Sequence, residues 1–264
     1  MAIRVLLAVL GLSAAACSPQ REPISIHFEA QFGGEPLNCG PDQGVQLTDL
    51  RFYVYELAIR DADGQRHALD LPDMPPWQAG EIALLDLEDA SGGCANGTAV
   101  MNAAIAAFAP DVDWNTLEFI VGVPFEKNHG DPLLAEFPLG DPAMHWHWRG
   151  GYKFLRAGFR STDDGYWLHL GSTGCKGTIR NITHCTAPNR VTVTLENFDP
   201  DEDVIIVDLQ ALVPDEEQHD GQPDNCSSSP AEASCAGPFA ALGLAFGDQV
   251  ATGRQQLFSR GIRP

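Results

Sequence analysis

The densest stretch of reactive side chains is Met144-His145-Trp146-His147-Trp148, followed by Gly150-Gly151-Tyr152-Lys153-Phe154. On a strand, Met144, Trp146 and Trp148 share one face while His145 and His147 share the other. A histidine–x–histidine pair on one strand face is a workable metal clamp, and equally a pair of surface imidazoles behind a buried aromatic row. Two further histidines stand at strand ends or loops. His129 lies in Asn128-His129-Gly130, and His169 lies in Trp167-Leu168-His169-Leu170-Gly171, opposite in direction to Leu168 and Leu170. Imidazoles offered by three separate segments point to metal, and neutral imidazole suits copper and zinc. Tyr152, Lys153 and Phe154 read as strand packing with a snorkelling lysine. Asp49 and Arg51, two apart on one strand face, read as a structural ion pair.

The cysteines point to covalent staples instead. Setting Cys17 aside leaves Cys39, Cys94, Cys175, Cys185, Cys226 and Cys235. An even set in an exported chain reads as disulfides. Cys175 with Cys185 and Cys226 with Cys235 each close a short loop, which leaves Cys39 for Cys94. Six cysteines allow 15 pairings in principle, so this pattern is a preference. No C-x-x-C spacing favours a metal–thiolate site.

Export is indicated by the N-terminus. Arg4 precedes the apolar run Val5 to Leu12, and the small residues Ser13 to Ala16 lead into Cys17. This is a signal segment, too short for a membrane span. Residues 1–16 are expected to be removed, Cys17 to become the acylated first residue of a lipoprotein, and residues 17–22 to form a tether. Cleavage as a plain secreted protein stays open, because Ala14 stands where such sites usually carry leucine. Removing residues 1–16 takes away only Arg4, so 16 basic residues become 15 against 36 acidic, a balance of −21. That charge argues against nucleic acid and anionic lipid surfaces as partners.

Residues 23–264 are expected to form a single all-β domain, an antiparallel β-sandwich with disulfide-stapled loops. From Ile24 to Phe32, apolar residues alternate with Ser25, His27, Glu29 and Gln31. Leu50 to Ile59 ends in the turn sequence Asp61-Ala62-Asp63-Gly64. Glu81 to Leu87, Leu117 to Val123, Met144 to Phe159, Tyr166 to Leu170, Val191 to Phe198 and Val204 to Leu209 complete the expected strands. Thr98 to Phe108 is alanine-rich with apolar residues three and four apart and Pro110 beyond, which predicts one short helix over about 97–109 with Thr98 as its N-cap. Residues 214 to 238, acidic and rich in serine and proline, read as a stapled excursion.

An ordered set of motifs resembles the MbnP family, which includes methanobactin-associated and CorA-like copper proteins. It runs from F-E-A-Q-F-G-G and Cys39 through L-T-D-L-R-F-Y-V-Y, L-L-D-L-E-D, G-G-C-A-N-G-T and G-V-P-F-E-K-N-H. It continues with M-H-W-H-W-R-G-G-Y-K-F, L-H-L-G-S-T-G-C and C-T-A-P-N-R-V-T-V, and closes on Cys226, Cys235 and A-L-G-L. The resemblance implies a periplasmic or outer-membrane-anchored protein of the bacterial envelope that binds one copper ion and is not an enzyme. It also implies a copper site of histidines and a tryptophan oxidised to kynurenine by a dihaem cytochrome c peroxidase-like partner. Intact indole has no in-plane lone pair to offer a metal, whereas kynurenine carries an aryl amine and a carbonyl. By motif position His129 and His169 are the ligand candidates, Trp146 the candidate for oxidation and Trp148 the second choice. His145 and His147 stand as alternates.

Two other classes compete. A cupin-like metal oxygenase would use the histidine–x–histidine pair, but the first acidic residue after His147 is Asp163. A glycan-binding or adhesive sandwich would use Trp77, Trp114 and Trp167 as stacking platforms. No G-x-S-x-G occurs to support a serine hydrolase.

Overall fold

The computed structural model describes residues 21–41, 44–161, 165–179, 181–213 and 225–263. The expected signal segment, Cys17 and most of the excursion before Asn225 lie outside them. In chain order the strands are β1 (Arg21–Phe32), β2 (Glu35–Pro36), β3 (Gln46–Asp61), β4 (Arg66–Ala68), β5 (Gln78–Ala79), β6 (Ile82–Asp86), β7 (Ala104–Pro110) and β8 (Trp114–Val121). The one-turn helix α1 (Phe125–Asn128) follows, then β9 (His145–His147), β10 (Gly151–Arg160), β11 (Gly165–Gly171), β12 (Thr173–Thr178), β13 (Asn181–Ala187), β14 (Val191–Glu196) and β15 (Asp203–Asp208). Helix α2 (Ala236–Ala241) and β16 (Phe258–Ile262) close the chain.

The architecture is the expected all-β sandwich. One sheet runs β16-β15-β1-β2 with β7 also on β1, and the other is organised on β3. Along one edge β3 pairs first with β10 and then with β8, and along the other with β6 and then β4. β14 extends β8, and β9 and β11 extend β10. One pair, β1 with β15, is parallel within the otherwise antiparallel arrangement. The hairpin β12–β13 stands as a separate two-stranded sheet.

The alternation in β1 is realised, with Ile26, Phe28 and Ala30 buried. Between the sheets Phe28, Phe52, Phe119 and Phe258 meet edge to face, with centroids 5.5–6.1 Å apart, a preferred aromatic geometry. β3 and β6 do not alternate, because the second sheet is buried on both faces. Tyr53, Tyr55, Ile82 and Leu84 turn away from the main core into a second cluster with Met144, Tyr152 and Phe154. That second cluster lies under the segment that carries His129 and Trp146.

Three expectations are corrected. The predicted helix at 97–109 is a turn followed by β7, an edge strand whose Ile105, Ala107 and Ala109 point into the core and which pairs with β1 from His27↔Ala104 to Arg21↔Pro110. The alanines fit either period, and cross-strand pairing decided it. The expected single strand from Met144 to Phe159 is broken into β9 and β10 by a turn through Gly150 and Gly151, the latter at φ +80°. β1 starts at Arg21, inside the expected tether. The three disulfides are those the spacing favoured: Cys39–Cys94, Cys175–Cys185 and Cys226–Cys235. Among the described residues, no helix is long and apolar enough to cross a membrane.

Candidate metal centre

β10 is the rail on which the candidate residues are hung. On one side it pairs with β11, setting Arg156 opposite His169, and on the other with β9, setting Gly151 opposite His147 and Tyr152 opposite His145. Trp146 leans from β9 across to the end of β11. A Cβ built on Gly171 would stand 3.0 Å from Trp146 Cζ3 and 2.9 Å from the Tyr152 carbonyl oxygen, so only glycine leaves room for the indole there. Trp146 then meets His169 edge to face, with centroids 6.5 Å apart and planes at 90°. On its other side His169 lies against Trp167, centroid to centroid 4.5 Å, and is thus held between two indoles. Its backbone is fixed from behind: His169 N–H donates to the Cys226 carbonyl at 2.8 Å, and Ser228 Oγ donates to the His169 carbonyl at 2.9 Å. The loop closed by Cys226–Cys235 therefore backs the strand that carries His169.

Burial, then the positive charges of Arg156, Lys153 and Arg51, push the His169 imidazole down to about 4. It is neutral near pH 7, with a lone pair to offer. The guanidiniums that act on it are anchored in turn. Arg51 Nε lies 2.8 Å from Glu88 Oε1 and 3.2 Å from Asp49, and Arg156 pairs with Asp49. The expected ion pair of Asp49 and Arg51 is thus one link in a larger buried network. Lys153, expected to snorkel, instead donates its Nζ to the Ala143 carbonyl at 2.9 Å, and burial lowers its pKa.

His129 is placed by Asn128, which sequence reasoning passed over. Asn128 is fully buried; its Oδ1 accepts from the Tyr152 N–H at 2.9 Å and its Nδ2 donates to the Gly150 carbonyl at 3.3 Å. One amide thereby pins the end of α1 to the turn between β9 and β10. His129, the next residue, packs on Phe125 and presents Nε2 at 3.6 Å from Cys185 Sγ, while its Nδ1 is buried with no hydrogen-bond partner. Burial and the nearby Arg190 lower its pKa, partly opposed by the Trp148 backbone.

The alternates divide: His147 and Trp148 are engaged at the turn, whereas His145, like His129, has a buried ring nitrogen without a hydrogen-bond partner. His147 Nδ1 accepts the N–H groups of Arg149 and Gly150, capping the turn. His145 packs edge to face on Tyr152 with its Nε2 buried and unpartnered, and its pKa is lowered by burial and by His147 and Lys153. Trp148 falls in the turn beneath the Arg149 guanidinium, 4.8 Å from its ring. Of the other tryptophans proposed as platforms, Trp114 packs on the main core and Trp77 on the second cluster, while Trp167 lies against His169 and stays 38% exposed.

A cleft of about 390 Å³ opens here, with Trp146, His147, Gly150, Cys175, Lys176 and Ser227 among its walls. The structure brings Trp146 and His169 into contact and sets His129 beside the cleft, against the Cys175–Cys185 disulfide. Neutral imidazoles with lone pairs to offer, His169 against Trp146 and His129 beside the cleft, fit a copper or zinc ion. Gly171 and the disulfide hairpin over His129 were not read from the sequence as parts of the site, although L-H-L-G-S-T-G-C carried both.

Fold and site define a class: a disulfide-stapled β-sandwich with an imidazole–indole cleft beside its second core. The model of the MbnP family matches residues 21–228, and the chain belongs to that family. The solved structure of MbnP from Methylosinus trichosporium superposes with a TM-score of 0.80 at 27% sequence identity, covering 93% of this chain and 100% of that one. No curated protein matches the chain.

Proposed function

We propose that this chain is a copper-binding protein of the bacterial envelope, acting by binding rather than turnover. Its site is built from His129, His169 and a Trp146 oxidised to kynurenine. The observation that carries the reading is the contact between Trp146, which lines the cleft, and His169, where the imidazole is held neutral and the indole cannot itself ligate. Oxidative cleavage of the indole C2–C3 bond would add two oxygens to give the N-formyl compound, and hydrolysis would then release C2 as formate, leaving the C3 carbonyl and a free aryl amine beside an imidazole already in place. The oxidising equivalents would come from a dihaem cytochrome c peroxidase-like partner. Copper, when bound, supplies the cargo or redox ion. The chain's own residues supply its ligands, and burial together with the Arg156 and Arg51 guanidiniums keeps His169 neutral.

In this reading the mature protein begins at an acylated Cys17 and is held at the periplasmic or outer-membrane surface by lipid. Maturation by the partner tests the site. Intact-mass analysis should show a gain of roughly 4 Da per chain on the peptide holding Trp146, together with one copper per chain. Trp146→Phe should lose both, and His129→Ala or His169→Ala should lose tight copper binding with the fold retained. Matured protein that binds copper tightly, shows no mass gain on that peptide and tolerates His129→Ala would overturn the assignment.

A further inference from the structure

The disulfide beside His129 holds a second potential ligand set in latent form. Cys175 and Cys185 face each other in register across the β12–β13 hairpin. One ligand atom from each of His129, Cys175 and Cys185 lies within 4.8 Å of the others, and the imidazole Nε2 stands 3.6 Å from Cys185 Sγ. The three groups could meet one ion once the bond between the sulfurs is broken and they move apart. Of the three disulfides this one is the most accessible: Cys185 is half-buried and Cys175 lines the cleft, whereas Cys39, Cys94, Cys226 and Cys235 are 0–3% exposed.

We propose that reduction of Cys175–Cys185 by a small dithiol converts this hairpin into a two-thiolate, one-imidazole site for Cu(I). The dithiol's thiolate attacks Cys185 Sγ and the Cys175 thiolate leaves. The second thiol of the reductant then displaces Cys185 and leaves as a cyclic disulfide, so two electrons pass from the dithiol to the protein. Cu(I) then replaces the two thiol protons. Thiolates select soft ions, and three ligands suit the low coordination numbers of Cu(I), whereas structural zinc completes four. Cu(II) would instead take electrons from the thiolates and restore the disulfide. The reduced site shares His129 with the imidazole–kynurenine centre but needs neither Trp146 nor its oxidation.

The test uses the full chain, never exposed to a peroxidase partner, equilibrated without oxygen in a dithiol/disulfide buffer with or without chelator-buffered Cu(I). Differential alkylation and peptide mass mapping then report the dithiol-to-disulfide ratio of each pair. Because an ion that binds only the reduced form must favour reduction, Cu(I) should raise the ratio at Cys175/Cys185 on the order of 100-fold. The ratio at Cys39/Cys94 serves as the control within the same molecule and should not move, and Cys226/Cys235, whose third nearby group is the hard Glu232 carboxylate rather than an imidazole, should move far less than Cys175/Cys185. Trp146→Phe should keep the shift, which separates this site from the kynurenine reading. His129→Ala should reduce it roughly tenfold. Near-UV circular dichroism checks that this variant is folded, and His129→Gln provides the same test with a bulkier side chain. No shift with Cu(I), an equal shift at all three pairs, a full shift in both folded His129 variants, or a larger shift with Zn(II) would each overturn the proposal.

Discussion

Asn128 should prove the most consequential residue that touches no metal. Its carboxamide satisfies two buried backbone groups, the Tyr152 N–H at 2.9 Å and the Gly150 carbonyl at 3.3 Å. It also fills the space beside Gly151, where a Cβ would come within 2.5 Å of Asn128 Oδ1 and 2.2 Å of its carbonyl oxygen. Asn128→Ala leaves both backbone groups unpartnered in a dry environment, at a cost of about 1–3 kcal/mol each and so about 2–6 kcal/mol in all. At roughly 2–4 °C per kcal/mol for a domain of this size, the melting temperature should fall by roughly 4–24 °C. Urea denaturation should show a lower midpoint with an unchanged slope, the mark of a change in stability alone.

Asn128→Asp provides the diagnostic arm. It keeps the acceptor for Tyr152 but turns a carboxylate on the Gly150 carbonyl. Burial favours its neutral acid, which can donate there, so its deficit against the wild type should narrow as pH falls. Copper affinity of the matured protein should drop in both variants, because the residue that positions His129 has lost its hold on the β9–β10 turn. A loss of less than about 1 kcal/mol in Asn128→Ala, or unchanged copper affinity in a destabilised variant, would refute the reasoning.

Burial, with Asp49 next, raises the Glu88 carboxyl to about 8 from an ordinary 4.5. The native state therefore holds more protons than the unfolded chain between those values, and stability declines as pH rises through that window. Glu88→Gln should flatten the decline, measured as urea midpoints between pH 5 and 9; an equally steep profile would show that Glu88 is already ionised in its pair with Arg51. Among the disulfides, Cys39–Cys94 closes a separation of 55 residues against 10 and 9 for the others. Loop-closure entropy then gives it about 4 kcal/mol against about 3 kcal/mol for each short loop, so Cys39→Ser/Cys94→Ser should show the largest loss of melting temperature. Gly171→Ala should displace Trp146 by a few tenths of an ångström or more and lower kynurenine yield in partner maturation; full yield would show that the indole has room the geometry denies it.

Much of this protein is fixed by local pattern. The period-two rows of β1 and β14, the turn after Asp61, and the cysteine spacing each specify their structure without help from distant residues. A two-residue repeat decides which face is buried, and a short loop decides which sulfur is near. Where an expectation failed, two local solutions were close in energy. The alanine-rich run at 98–108 suits a helix as well as a strand, and only the open edge of β1 settled it, through a ladder from His27 to Arg21. Met144 to Phe159 has strand character throughout, but the second core pulls Tyr152 and Phe154 inward, and the chain turns at Gly150–Gly151 to let them enter.

For the site, the sequence supplied which groups can ligate and tertiary structure supplied which of them meet. The motifs named His129, Trp146 and His169, because imidazole and indole chemistry belongs to the residue type. They could not show that Trp146 crosses to Gly171, that His169 is held neutral by burial and then by guanidiniums from β3 and β10, or that Cys185 stands against His129. Those relations join residues up to 118 positions apart, Arg51 and His169, through the pairing of β3, β10 and β11 and the amide of Asn128. Burial and charge at a point are sums over everything packed around it, and one strand's sequence contains only its own share of them.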